Sequence, residues 1–342
     1  MDMDEMIKSF PNQISEQHEA LKDLSFNLDN FLNIDNIVIA GMGGSAISGD
    51  IIKLLLRDDI KYPINIIRDY NCSMLYKSNS TLFIISSYSG NTEEALSMYE
   101  VARKCSKKII CVTTGGKLKE LADRDSINTV SITKGFQPRA ALGYSLMALM
   151  MILNKLKLVP DSYVNSMIES IPKLELFYED HCKKDQYAHK FAEKIYGGLI
   201  MIYGTALTDP IVSRFRAQIA ENAKLLSSHH ILPELNHNEI VGFETNPFPN
   251  IPRRVVWISD PEDHKQVLKR MKITFKLFED MKIENFYINI INSDKDNFIT
   301  RSLKLIYITD WISYYLSDLN NVDPIPVDTI KKLKDKMLEG NK

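Results

Sequence analysis

Short uninterrupted apolar runs recur through the first half of the chain, each closed by a small or polar residue. Residues 36–40, 63–67, 81–85, 108–113 and 128–132 read as strands, and 92–105 and 140–158 carry apolar positions at helical spacing. Strands that are apolar throughout, rather than alternating, imply a parallel sheet covered by helices on both faces. A charged, less periodic stretch over 160–194 reads as a helical connector. The pattern then restarts, with strands over 198–203, 255–258 and 286–291 and helices over 211–226, 264–280 and 298–319. The two glycine-terminated runs, one closed by Gly41 and one by Gly204, have the look of a diverged internal repeat. The expected fold class is therefore α/β with two lobes, each a doubly wound, three-layer parallel sheet flanked by helices, and a C-terminal helical segment. The expected boundaries are an N-terminal domain over 1–155, the connector over 156–194 and a C-terminal domain over 195–342. Ligands of such sheets bind beyond the carboxyl ends of the strands.

Composition narrows the function. A length of 342 residues suits about two domains. The net charge of −2 supplies no broad positive field, which argues against nucleic-acid binding. No apolar stretch approaches the roughly 20 residues that span a bilayer. The acidic start Met1-Asp2-Met3-Asp4-Glu5 has no apolar run behind it and does not read as a signal peptide. The four cysteines, Cys72, Cys105, Cys111 and Cys182, lack CxxC spacing and read as small hydrophobes in a reducing cytoplasm.

Two segments carry candidate anion-binding chemistry. Gly41-Met42-Gly43-Gly44-Ser45-Ala46 follows a strand and opens a helix, so its backbone N–H groups and the helix dipole favour a phosphate. The spacing also fits a dinucleotide fingerprint, with Asp69 as the ribose acid, so a nucleotide cofactor, another phosphate and a plain structural turn all remain open on this motif alone. Ser86-Ser87-Tyr88-Ser89-Gly90-Asn91-Thr92 follows the third strand and precedes Glu93-Glu94 at a helix start. Asn91 or Thr92 suits an N-cap. A cap needs one hydroxyl, however, and this loop offers several. Ser45, Ser87, Ser89 and Thr92 are placed to converge on one phosphate. No lysine follows either loop in the manner of a nucleoside-triphosphate-binding loop.

These two loops, together with Pro138-Arg139-Ala140-Ala141-Leu142-Gly143-Tyr144-Ser145-Leu146, resemble the sugar isomerase (SIS) domain as it occurs in the bifunctional phosphoglucose/phosphomannose isomerases. The resemblance continues through Ala220-Glu221-Asn222-Ala223-Lys224, the run Leu232-Pro233-Glu234-Leu235-Asn236-His237-Asn238-Glu239-Ile240, and Asp323-Pro324 with the following lysine-rich segment. It covers the chain from about residue 35 to the C-terminus. The resemblance implies interconversion of glucose 6-phosphate and fructose 6-phosphate, and of mannose 6-phosphate and fructose 6-phosphate, through a cis-enediol. It implies no cofactor and no metal, a cytoplasmic setting and a homodimer. Gly44, Ser45, Ser87, Ser89 and Thr92 would hold the phosphate.

Aldose–ketose isomerisation needs a base to move a proton between C1 and C2, positive charge for the enediolate, and an acid–base group to open the pyranose ring. Glu221, ionised at neutral pH as an ordinary glutamate, is the base that the resemblance implies. His237, in a polar loop, would open the ring and reach the site from the neighbouring subunit; a loop histidine, or a metal ligand with His229, His230 and Glu239, is the alternative. Arg139, at the start of a long helix, is a cation where the dipole disfavours one. The resemblance has it facing the enediolate and sugar oxygens, and Lys334 approaching the ring or bridging oxygens, whereas a solvated basic face is the plainer reading of Lys331, Lys332, Lys334 and Lys336. One position departs from the family pattern: Val327 stands where a threonine often helps accept substrates that differ at C2. The rival classes are a non-catalytic SIS module that senses a sugar phosphate, a glutamine-dependent aminosugar synthase and a dinucleotide-dependent oxidoreductase.

Overall fold

The computed structural model describes residues 1–289 and 296–339. The chain divides into two compact units, one made of residue 1, residues 5–178 and 292–304, the other of residues 2–4, 179–291 and 305–342. In chain order the elements begin with α1 (Met3–Lys8), α2 (Phe10–Leu21), β1 (Asn36–Ala40), α3 (Gly43–Leu55), β2 (Ile64–Ile67), β3 (Thr81–Ser87) and α4 (Glu93–Cys105). Then come β4 (Ile109–Thr113), α5 (Gly116–Arg124), β5 (Asn128–Ser131), α6 (Leu142–Lys155), α7 (Asp161–His181) and α8 (Tyr187–Ile195). The last part holds β6 (Leu199–Gly204), α9 (Asp209–Gln218), β7 (Ser227–Ile231), β8 (Arg253–Trp257), α10 (Lys265–Asp280), β9 (Glu284–Tyr287), α11 (Phe298–Leu319) and α12 (Asp328–Glu339).

The first unit contains a parallel five-stranded sheet in the order β2-β1-β3-β4-β5. Every residue of β3 and β4 is buried, as uninterrupted apolar strands require when both faces are covered. On one face, Val38, Phe83, Ile85 and Cys111 pack against Ala95, Met98, Tyr99 and Ala102 of α4 and Leu118 and Ala122 of α5. On the other, α3 approaches closely at Gly49, where a methyl group would lie 2.8 Å from Ile66 and 3.1 Å from Ile39. This is a doubly wound, three-layer arrangement. Its strand order reverses between β1 and β3, and the loops after those two strands part to opposite faces, which leaves a crevice at their carboxyl ends.

The second unit repeats the order with one strand fewer among the described residues: β7-β6-β8-β9, all parallel. Met201, Tyr203, Val255 and Trp257 of its sheet bury against Met271 and Phe278 of α10 and against Leu232, Leu235 and Phe243 of the preceding loop. The expectation of two parallel α/β sheets flanked by helices holds.

Local expectations needed correction. The helix read over 211–226 stops as an α-helix at Gln218, continues as a π-helical turn over Ile219–Ala223, and gives way to β7. That strand, Ser-Ser-His-His-Ile, is too polar to read as one. It is an edge strand of its sheet, where one side needs no apolar partner. The helix read over 140–158 starts as a 3-10 turn, Pro138–Ala140, before α6 proper, so Arg139 precedes the helix rather than opening it. The end of the strand read over 286–291 lies outside the described residues; the observed strand is Glu284–Tyr287. The N-terminal segment, read only as acidic, forms α1 and α2, with Phe10, Ile14, Gln17 and Leu21 buried at helical spacing. No helix among the described residues is long and apolar enough to cross a membrane.

Phe83 is fully buried between the layers of the first unit. Phe83→Ala is expected to cost about 3–5 kcal/mol of unfolding free energy, measured by urea denaturation followed by circular dichroism. A loss under about 1 kcal/mol would mean that β3 is not sandwiched as described.

Candidate active site

The carboxyl ends of β1 and β3 carry the two loops singled out in the sequence. Ser87 is 2 % exposed and Ser45 6 %. Ser45 Oγ accepts the Tyr88 backbone N–H at 3.2 Å, which ties the first loop to the second. Ser87 Oγ lies 2.9 Å from Thr92 Oγ1 and accepts the Gly90 N–H at 3.1 Å. Ser89, exposed, accepts the Asn91 N–H at 3.2 Å. Thr92 occupies the N-cap position of α4, yet its side chain does not cap the helix; the hydroxyl turns to Ser87 instead. Met42 likewise leaves the start of α3 without a side-chain cap. Two helix N-termini and a set of hydroxyls therefore meet at the switch point, with backbone donors that no side chain satisfies. Such an arrangement suits a phosphate dianion.

Two glycines make the closeness of these loops possible. A Cβ on Gly44 would sit 2.7 Å from the Pro138 carbonyl oxygen and 3.6 Å from Arg139 Cα. The loop that carries Arg139 thus lies directly against the start of α3. Gly90 has φ +69°, and a Cβ there would meet the Gly115 carbonyl oxygen at 1.8 Å.

Arg139, 4 % exposed, is held in place from two directions. Tyr88 Oη donates to the Thr133 carbonyl at 2.9 Å and accepts the Phe136 N–H at 3.0 Å, which clamps the approach to the Pro138–Ala140 turn. From below, Gln13 of α2 is fully buried. Its amide donates to the Ala140 carbonyl at 2.7 Å and accepts the Gly143 N–H at 3.0 Å. Gln17 adds a bond to the Ser131 carbonyl at 3.0 Å, and Tyr144 Oη donates to Glu16 at 2.5 Å. The first unit thus brings together Gly44, Ser45, Ser87, Ser89, Thr92 and Arg139. Sequence reasoning missed Gln13, Gln17 and the clamping role of Tyr88. The apolar spacing of α2 was a usable signal for the helix, but polar side chains that point inward leave no periodic mark.

Asp69 lies just beyond β2, exposed, and its carboxylate accepts the N–H of the next residue, Tyr70, at 2.6 Å.

In the second unit Glu221, His237 and Lys334 occupy three separate elements. Glu221 is half-buried in the middle of the π turn, and its carbonyl accepts from Lys224 Nζ at 2.6 Å. His237 ends a 3-10 turn, Glu234–His237, with its side chain exposed. The loop beneath it is anchored firmly. Tyr203 Oη donates to Glu239 Oε1 at 2.6 Å, Asn236 Nδ2 donates to Thr274 Oγ1 at 2.9 Å, and Leu235 is buried in the aromatic cluster around Trp257. Burial and the Glu239 carboxylate push the Tyr203 phenol far above its ordinary range, so it stays a neutral donor. Lys334 lies on α12, whose described side chains are exposed. Val327 immediately precedes α12 and its carbonyl accepts the N–H groups of Ile330 and Lys331, so a threonine there would also have supplied a helix cap. His229 is half-buried on β7; burial, with Arg216 second, lowers its pKa and favours the neutral imidazole. Among the described residues, no group of three or more His, Cys, Asp or Glu side chains is arranged to hold a metal ion. The four cysteines are unpaired, and burial pushes the Cys111 thiol up to about 12.

Comparison with known proteins places the chain among relatives. Residues 184–337 match the bacterial phospho-glucose isomerase C-terminal SIS domain. The bifunctional phosphoglucose/phosphomannose isomerase of Caldicellulosiruptor bescii is 38% identical over 98% of this chain and 99% of its own length. That of Aquifex aeolicus is 32% identical over 97% of both chains. Among solved structures, the C-terminal domain of glucosamine-fructose-6-phosphate aminotransferase from Francisella tularensis shares the fold with a TM-score of 0.73 at 16% identity, covering 94% of this chain and 96% of that one. Tagatose-6-phosphate ketose/aldose isomerase from Escherichia coli does so with a TM-score of 0.67 at 15% identity, covering 94% of each. The fold is thus shared by proteins with different named activities, and it is the full-length similarity to the isomerases that assigns the chain: it belongs to the family of bifunctional phosphoglucose/phosphomannose isomerases.

Proposed function

We propose that this chain is an intramolecular oxidoreductase that interconverts glucose 6-phosphate and fructose 6-phosphate, and mannose 6-phosphate and fructose 6-phosphate. The observation that carries the reading is the hydroxyl-lined crevice at the β1/β3 switch point, in a chain similar to named isomerases over nearly its whole length. Ser45, Ser87, Ser89 and Thr92, with the backbone beside Gly44, hold the phosphate. That remote grip fixes the sugar, and its binding energy is spent on orienting the reacting carbons.

The proton traffic follows from the residue types. His237 gives a proton to the ring oxygen and takes one from the C1 hydroxyl, which opens the pyranose to the aldehyde. The Glu221 carboxylate then takes the C2 proton. The C–H electron pair becomes the C1–C2 double bond, and the carbonyl electrons move to oxygen, giving a cis-enediolate. Arg139 and Lys334 stabilise that charge. Return of the proton to C1, with a hydroxyl proton passing from O2 to O1 as the carbonyl forms at C2, gives the ketose, so atoms and electrons balance without an external oxidant. The enediol has no stereocentre at C2, so both aldoses share one intermediate. Val327 supplies shape but no hydroxyl for that choice of substrate.

His237 acts in the site of a second copy of the chain. Its exposure on a firmly anchored loop supports delivery to a neighbour rather than local use. The row Ile330, Leu333 and Met337, exposed at helical spacing on α12, supports an assembly that covers it. A cytoplasmic setting goes with four unpaired thiols.

A coupled assay on purified protein should register turnover of both aldose phosphates; activity with neither would overturn the proposal. Glu221→Gln is expected to lower kcat by about 10²–10⁴-fold, the usual range for a positioned acid–base group. Near-normal turnover would remove Glu221 as the base. Gly44→Ala, which thrusts a methyl group at the Pro138 carbonyl, should raise KM for fructose 6-phosphate at least about tenfold by forcing the loops apart. An unchanged KM would mean that the phosphate binds elsewhere.

A further inference from the structure

Glu221 does not ride on an ordinary helix. The π turn Ile219–Ala223 is a wider coil than an α-helix, closed by Lys224 in the left-handed conformation at φ +56°. Such turns are rare and gather at functional sites. One face of the segment that contains it is fastened to α11 by buried polar groups. Arg214 grips Asp310 with two parallel bonds, Nε to Oδ1 at 3.1 Å and Nη2 to Oδ2 at 2.6 Å. Gln218 Nε2 donates to the same Oδ1 at 3.0 Å. Asn222 Nδ2 donates to Ser313 Oγ at 2.9 Å, and Ser313 Oγ donates to the Asp310 carbonyl at 2.7 Å. All five of these residues are buried. Arg214, Gln218 and Asn222 recur every four residues, so they line one face of α9 and the turn that follows it.

A buried ion pair is weak support for stability, because the cost of stripping water from both charges offsets the attraction. What a paired, bidentate row supplies is register. Apolar surfaces slide over one another, whereas forked bonds fit in one position only. The row ends at Asn222, the residue next to Glu221.

Building on the assignment of Glu221 as the base, we propose that Asn222 and Ser313, backed by Arg214, Gln218 and Asp310, are positioning residues that hold the π turn and so aim the Glu221 carboxylate at C1 and C2. Without the pin, the turn relaxes toward α-helical geometry and rotates Glu221 about the helix axis. A misplacement of about 1 Å is worth up to about 10²-fold in rate.

The test uses Ser313→Ala and Asn222→Ala in the full chain, with glucose 6-phosphate deuterated at C2. Both variants should lower kcat about tenfold or more while KM stays within about twofold, since the phosphate grip is untouched. They should also return less deuterium to C1 of fructose 6-phosphate than the unmodified protein, because a badly aimed acid exchanges with water before it delivers its proton. A merely structural role would lower activity in proportion to the folded fraction and leave label transfer unchanged, and that result would overturn the proposal, as would normal kcat in both variants. Ser313→Ala removes a single oxygen and decides the matter if Asn222→Ala fails to fold. Glu221→Gln separates the two layers: inactive Glu221→Gln with normal Ser313→Ala and Asn222→Ala refutes the positioning claim alone, whereas active Glu221→Gln refutes the base assignment and the positioning claim with it.

Discussion

The first unit depends on how closely three loops approach at the point where its strand order reverses. The loop after β1 reaches the loop after β3 through the bond from the Tyr88 amide to Ser45, and it reaches the Arg139 turn because Gly44 has no side chain. Topology supplies the crevice and glycine supplies the proximity. Hydroxyls do the rest: Thr92 leaves its helix uncapped and turns toward Ser87, so backbone amides that a cap would satisfy stay available to an anion. An uncapped helix end costs about 1 kcal/mol, which an anion bound there would offset.

The second unit solves a different problem. Around the two residues proposed as base and acid, it is the neighbours that are anchored. Asn222 is pinned while Glu221 beside it stays half-buried; Asn236 and Glu239 are pinned while His237 between them stays exposed. Hydrogen bonds to the flanking residues restrict the backbone that carries the two proposed acid–base groups. The same device appears around Arg139, which Tyr88 and Gln13 brace from either side.

How much of this the sequence disclosed follows from what leaves a pattern. Uninterrupted apolar strands such as 81–85 and the glycine-ended runs before Gly41 and Gly204 gave the fold class directly, because a parallel sheet buried on both faces has few other signatures. The hydroxyl loop was legible for the same reason, since it offered more hydroxyls than a cap requires. The strand β7 was not legible, because an edge strand bears no obligation to be apolar. Neither was the π turn, whose Asn222 bonds to Ser313, 91 residues away. Gln13 illustrates the same limit: a buried amide that serves residues 127 and 130 positions distant shows nothing in its own neighbourhood. Short-range order is written locally, whereas the supports of an active site are tertiary.

The most direct test of the central claim is a crystal structure with a five-carbon aldonic acid phosphate, whose carboxylate has the charge and planarity of the cis-enediolate. The account requires the phosphate among Ser45, Ser87, Ser89 and Thr92, with the carboxylate against Glu221 and Arg139. A phosphate bound away from the β1/β3 crevice, or a carboxylate distant from Glu221, would contradict it.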